Sequence, residues 1–196
     1  MTSRLSLPKQ RLILPIIVIS QFCSSSIWFA GNSVIVNLIH NFNLAPNALG
    51  HLTAAVQFGF ITGTLLFAIF GIADRFSPAK VFFICAILGA FFNLGMLFPQ
   101  NNLITLLVFR FLTGVFLAGI YPIGMKIAAD YFEQGLGKSL GFMVGALVLG
   151  TAFPYLLKGF TEGIDWRMIA FFTSFIAVLG GLLLFTFVPN GPYRKT

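Results

Sequence analysis

Long apolar runs dominate this sequence, and they leave few folds open to it. Six stretches, about residues 12–38, 48–73, 79–98, 103–129, 139–157 and 166–188, carry almost no charge, and short polar segments separate them. A helix rises about 1.5 Å per residue, so about 20 apolar residues cross the hydrocarbon of a bilayer. Lipid offers no partners to a bare backbone, so each stretch is expected to be a transmembrane helix. Hydrophobic residues make up 58% of the chain and charged residues 9%, with a mean hydropathy of +0.94, which excludes a soluble domain. The expected fold is all-α: a polytopic membrane protein whose first partner is the lipid bilayer.

The lysines and arginines orient it. Arg4, Lys9, Arg11, Arg75, Lys80, Lys126, Lys138, Arg194 and Lys195 fall on one side of the six spans, and only Lys158 and Arg167 on the other. Basic residues mark the cytoplasmic face, so residues 1–11 and 189–196 read as cytoplasmic ends of a multi-pass domain over 12–188. The expected location is a plasma membrane or a bacterial inner membrane. This distribution accounts for the net charge of +7 without any nucleic acid. The N-terminal basic residues precede an apolar run too long for a signal peptide, which reads as an uncleaved first span. Cys23 and Cys85 both lie inside apolar runs and outline no disulfide framework.

Polar residues inside the spans are the functional candidates. Leu103 to Asp130 contains Arg110 about two turns from its start. A guanidinium in hydrocarbon costs at least about 2.5–3.5 kcal/mol, so Arg110 should face protein or a wet cavity. Arg110, Gly114, Leu117 and Tyr121 share one helical face, while Pro122 and Gly124 make the second half of that span bendable. In the first span Gln21, Ser25, Trp28 and Asn32 form a polar stripe, equally consistent with interhelical hydrogen bonds and with a cavity lining. The second span contributes Gln57, with His51 near its start, and the third contributes Asn93. Small residues four apart, Gly59 with Gly63 and Gly141 with Gly145, join Gly114 as expected helix-packing positions. Ser77 and Asp165 sit where N-caps belong, and Trp166 where an interfacial anchor belongs.

No hydrolytic motif and no His/Cys ligand cluster occurs, so no enzyme activity, metal or cofactor is expected. The five acids, Asp74, Asp130, Glu133, Glu162 and Asp165, all fall at span ends or in loops. Compensation for Arg110 must then come from Gln21, Ser25, Gln57, Asn93, backbone carbonyls, water or an anionic solute. Asp74 closes its own helix, where the helix dipole is already negative, so its partner is expected on another element.

These residues resemble the N-terminal half of a major facilitator superfamily transporter. That family carries G-x-L-A-D-[RK]-x-G-[RK]-[RK] between its second and third spans. Here the segment reads Phe70-Gly71-Ile72-Ala73-Asp74-Arg75-Phe76-Ser77-Pro78-Ala79-Lys80. Asp74 and Arg75 match, Gly71 is displaced, Ser77 replaces the second glycine, and the paired basic residues shrink to Lys80. Arg110-x-x-x-Gly114 matches the family's arginine motif, with Thr113 where glutamine is common. The fifth span is similar to the family's glycine-rich helix, with Ala146 in place of the proline usual in antiporters.

The resemblance implies two inverted three-helix repeats forming one half of a carrier that works by alternating access around a midplane cavity. It implies secondary transport of a small-molecule substrate, with anionic solutes among the candidates. The cavity candidates are Gln21, Ser25, Trp28, Asn32, Gln57, Arg110 and Tyr121. Asp74, Arg75 and Lys80 become the conformational-switch motif, with Asp74 reaching a helix end of the other half. A carrier of this kind needs about twelve spans. The chain therefore reads as a fragment whose partner is a missing C-terminal six-helix half. The alternatives are a half-size protein paired with a second copy, a non-transporting truncated product, and a six-helix channel or intramembrane enzyme.

Overall fold

A computed structural model describes residues 7–160 and 165–194, with side chains from residue 12 onward in those ranges. Arg4, Glu162 and Lys195 lie outside the described residues, as do the side chains of Lys9 and Arg11. The described chain is helical, in the order α1 (Leu7–Ser25), α2 (Ala30–Ser33), α3 (Ile35–Phe42), α4 (Ala48–Ile69), α5 (Ile72–Arg75), α6 (Pro78–Leu94), α7 (Leu103–Leu117), α8 (Tyr121–Tyr131), α9 (Leu136–Phe160) and α10 (Trp166–Phe187). A 3-10 turn, Gly95–Leu97, extends α6. Five of these stretches are long and apolar enough to span a membrane, α7 and α8 counting as one; a shorter apolar stretch, Leu12–Ser25, belongs to the first span.

Three expected spans are not continuous helices. The first is interrupted at residues 26–29 and again at Val34. The second ends at Ile69, where Gly71 takes up a left-handed φ of 58° that glycine tolerates, and one turn of α5 follows. The fourth breaks between Leu117 and Tyr121. Pro122 lacks an N–H and its ring crowds the carbonyl four residues back, so the ladder fails at Ala118 to Ile120. The hairpin before α7 is closed by a capping box. The Thr105 N–H donates to Asn102 Oδ1 at 3.0 Å, and the Asn102 N–H donates to Thr105 Oγ1 at 2.9 Å.

Glycine sets the closest helix contact. A methyl added at Gly59 would overlap the Phe111 carbonyl, at Gly63 the Val115 carbonyl, and at Gly114 the Val56 carbonyl. Only bare backbone lets α4 and α7 touch there. Gly141 and Gly145 depart from the expectation: a Cβ at either would meet nothing within 4 Å. The fifth span packs through Gly150 instead, against the Phe22 carbonyl and Ser25 of α1, and α10 packs on α1 through Gly180. Two apolar clusters fill the bundle, one around Ile17, Phe82, Leu117 and Met143, the other around Leu38, Leu52, Leu106 and Ile169. Trp166 belongs to the second and is buried against Phe42, so it is a core residue instead of an interfacial anchor.

Candidate functional site at the interrupted first span

The break in the first span begins with three consecutive serines. Ser24 Oγ donates to the Ala177 carbonyl at 3.0 Å, and Ser26 Oγ donates to the carbonyls of Cys23 at 2.7 Å and Thr173 at 3.2 Å. Serine hydroxyls compete with the helical ladder in this way. The backbone follows: Trp28 N–H donates to the Ser25 carbonyl at 3.1 Å, a tighter i to i−3 bond.

Arg110 fills the gap this leaves. Its Nη1 donates to the Ile27 carbonyl at 3.3 Å and to Asn93 Oδ1 at 3.2 Å, and its Nη2 donates to the Trp28 carbonyl. The guanidinium therefore lies on the carbonyl end of a helix segment, where a cation is favoured. Arg110 is 2% exposed, turned into the bundle. Of the compensations open in the sequence, backbone carbonyls and Asn93 are the ones realised. Asn93 in turn donates through Nδ2 to Ser174 Oγ at 2.9 Å and the Ala170 carbonyl at 3.4 Å, so one network ties four spans together.

The polar stripe of the first span also faces inward. Gln21 and Ser25 are 0% exposed and Trp28 and Asn32 7%, so they do not line an open surface of this bundle. Gln21 Nε2 donates to Ser25 Oγ at 2.8 Å, Asn32 Nδ2 donates to Thr53 Oγ1 at 2.6 Å, and Trp28 packs on Phe60 with ring centroids 4.7 Å apart. The reason is packing: Gly150 of α9 and Gly124 of α8 press directly on this face. Gln21 Oε1, Trp28 Nε1, Asn32 Oδ1 and Arg110 Nε have no hydrogen-bond partner. Unpaired buried polar atoms each cost about 1–3 kcal/mol. Of the cavity candidates, Gln57 and Tyr121 are half-buried and reach the surface of the bundle. Gln57 lies with His51, Phe58 and Phe111 along an apolar groove of about 950 Å³ between α4 and α7. Tyr155 on α9 is half-exposed.

The conformational-switch candidates gather at the basic end of the bundle. Asp74 pairs with Lys126 Nζ at 2.9 Å, and Lys126 also lies 4.0 Å from Asp130. The Lys126 ammonium, by hydrogen bond and charge, holds the Asp74 carboxyl below its ordinary value. Asp74 therefore has a partner within these six helices, on the fourth span. Arg75 and Lys80 are exposed on the same end. The segment after α10 straps across it. Arg194 Nη2 donates to the carbonyls of Asp74 and Phe76, both at 3.0 Å, and Tyr193 N–H donates to the Asp130 carbonyl at 3.0 Å. The Tyr131 hydroxyl donates to the Pro189 carbonyl. Ser77 is the N-cap residue of α6, but its hydroxyl donates to Asn190 Oδ1 at 2.9 Å and makes no capping bond. Asp165 does cap α10, accepting from Arg167 N–H at 3.0 Å.

The sequence profile of the Major Facilitator Superfamily matches residues 17–196. The chain belongs to the major facilitator superfamily. Among curated members it is 25% identical to MFS-type transporter acdC of Aspergillus candidus, over 85% of this chain and 34% of that one. It is 30% identical to the niacin transporter NiaP of Acinetobacter baylyi, over 62% of this chain and 29% of that one. The proton:xylose symporter XylE, solved with 6-bromo-6-deoxy-D-glucose, superposes with a TM-score of 0.80 at 18% identity, over 94% of this chain and 46% of XylE. A bacterial homolog of the human lysosomal transporter Spinster, inward-facing and occupied, gives 0.70 at 20% identity, over 95% and 46%. These superpositions establish the shared fold. The chain spans about a third of the length of the superfamily members acdC and NiaP, and under half of the two solved carriers. It is an integral, multi-pass membrane protein of a transporter family.

Proposed function

We propose that this chain is the N-terminal half of a secondary carrier that moves a small solute by alternating access, completed by a second six-helix half. The observation that carries this reading is the uneven burial of the spans. Only 22% of the second span and 22% of the fifth are buried, against 44–50% of the third, fourth and sixth. The exposed face of α4 carries Phe58, Ile61, Leu65 and Ile69, and its groove includes Gln57 and His51. Polar side chains at membrane depth favour protein or water over lipid as neighbours. On α9 the open positions Gly141 and Gly145 border a second groove of about 320 Å³ with Val18, Ile19 and Phe22. Small residues on an open face suit the close approach of another helix. The partner half covers these two faces, both termini lie in the cytoplasm, and the solute binds between the halves.

Within that arrangement Gln57 and Tyr121 are the residues that touch the solute, while Gln21, Ser25, Trp28, Asn32 and Arg110 shape the wall behind them. The first and fourth spans open their three-helix repeats, and both are discontinuous, as spans at midplane binding sites often are. Arg110 puts a positive charge in that wall, which favours an anionic or neutral solute over a cation. Asp74, Arg75 and Lys80 form the switch at the cytoplasmic end.

Uptake into proteoliposomes tests the proposal, using organic anions, sugars, amino acids and cationic drugs. The expected result is uptake by this chain only when a second six-helix half is co-reconstituted. Uptake by this chain alone would replace the missing half with a second copy, and single-channel current would overturn carriage altogether.

A further inference from the structure

Asn93 occupies a position that its chemistry defines on both sides. A carboxamide offers an acceptor at one end and donors at the other. Arg110 can only donate and the Ala170 carbonyl can only accept, so Oδ1 must face Arg110 and Nδ2 must face Ala170 and Ser174. Asn93 is fully buried, at 0% exposure, away from bulk solvent. Its bond to Arg110 uses Nη1, the same nitrogen that donates to the Ile27 carbonyl.

The joint in the first span depends on such side-chain contacts. Residues 26–29 lack the regular helical ladder, so side chains must define how α2 and α3 leave α1. Below the joint, Ser24 ties α1 to the sixth span. Above it, Asn32 ties α2 to Thr53 of the second span. At the joint, Ser26 bonds to the Thr173 carbonyl of the sixth span, and Arg110, held from behind by Asn93, takes the Ile27 and Trp28 carbonyls. We propose that Asn93 is a positioning residue, which keeps the Arg110 guanidinium on the Ile27 and Trp28 carbonyls and so holds the outer segment, residues 30–42, in one orientation. The inference rests on the carrier reading only in giving that orientation a use in transport; the wiring belongs to this chain alone.

The test measures the joint without measuring transport. Val36 and Ile104 are exposed, at 76% and 71%, and accept spin labels as Val36→Cys and Ile104→Cys once Cys23→Ala and Cys85→Ala remove the native thiols. Double electron–electron resonance on the 196-residue chain in lipid nanodiscs is expected to show one narrow distance distribution. Asn93→Leu should at least double its width, and Asn93→Asp, which restores an acceptor for Arg110, should return it toward the parent width. Ser174→Val removes the shorter of the two contacts behind Asn93 and should broaden the distribution less. An unchanged width in Asn93→Leu, or a width in Asn93→Asp as large as in Asn93→Leu, overturns the proposal. If Asn93→Leu does not fold, an unchanged width in Ser174→Val overturns it. Failure here leaves the carrier assignment standing, and absence of uptake leaves this wiring standing.

Discussion

Arg110 and two glycines, Gly59 and Gly141, show how single positions are decided by what lies opposite. Arg110→Met would strand the Ile27 and Trp28 carbonyls and Asn93 Oδ1 in the bundle. Unpaired buried acceptors cost about 1–3 kcal/mol each, so unfolding in detergent should show a loss of several kcal/mol. Arg110→Lys keeps the charge but lacks the planar fork that reaches three oxygens, and should recover only part of that loss. The glycines separate in the same assay. Gly59→Ala must push α4 off the Phe111 carbonyl, an overpacking expected to cost about 1–3 kcal/mol. Gly141→Ala meets open space and should be neutral or gain up to about 1 kcal/mol, since alanine is the better helix former. The two glycines look alike in the sequence, each in a small-xxx-small pair. Only their neighbours tell them apart.

At the scale of the element, the 70–78 turn is held by the fourth span and by the segment after α10 together. The Asp74 carboxyl is depressed below its ordinary value by Lys126, so the pair contributes above the ordinary carboxylate range and is lost as the pH falls through the depressed value. Lys126→Gln should return the Asp74 titration, followed by carboxyl NMR, toward its ordinary value. Arg194→Ala removes both bonds to the Asp74 and Phe76 carbonyls. Hydrogen exchange at the Tyr193 amide, bonded to the Asp130 carbonyl, should then accelerate while the interior of α6 stays protected. Sequence motifs located this turn, and the lone lysine four residues before Asp130 was the available sign of its partner. The strap was not legible. Its contacts are mainly with backbone carbonyls, which carry no sequence signature.

For the whole molecule, the unequal burial of the spans predicts where another half docks. Cysteines at Phe58 of α4 and Phe142 of α9, both exposed, should form cross-links with a co-expressed six-helix half. One at Phe171 of α10, in the groove it shares with Phe91 of the third span, should not. Cross-links from Phe171 alone would mean that the covered face had been chosen wrongly.

Hydropathy alone determined that the chain is a bundle of membrane helices, because the cost of exposing backbone in lipid leaves no other reading for runs of this length. Helical spacing determined which polar residues share a face, and the loop and arginine motifs pointed to the family. The tertiary structure decided which way those faces turn. Gly150 and Gly124 of neighbouring helices close over Gln21 and Ser25, a contact no single-helix pattern contains. It also decided where the first span breaks, since the serines there bond to carbonyls of the sixth span and the freed backbone bonds to an arginine of the fourth. Periodicity orders residues around an axis; rotation about that axis, and any gap along it, is set by the helices packed against it.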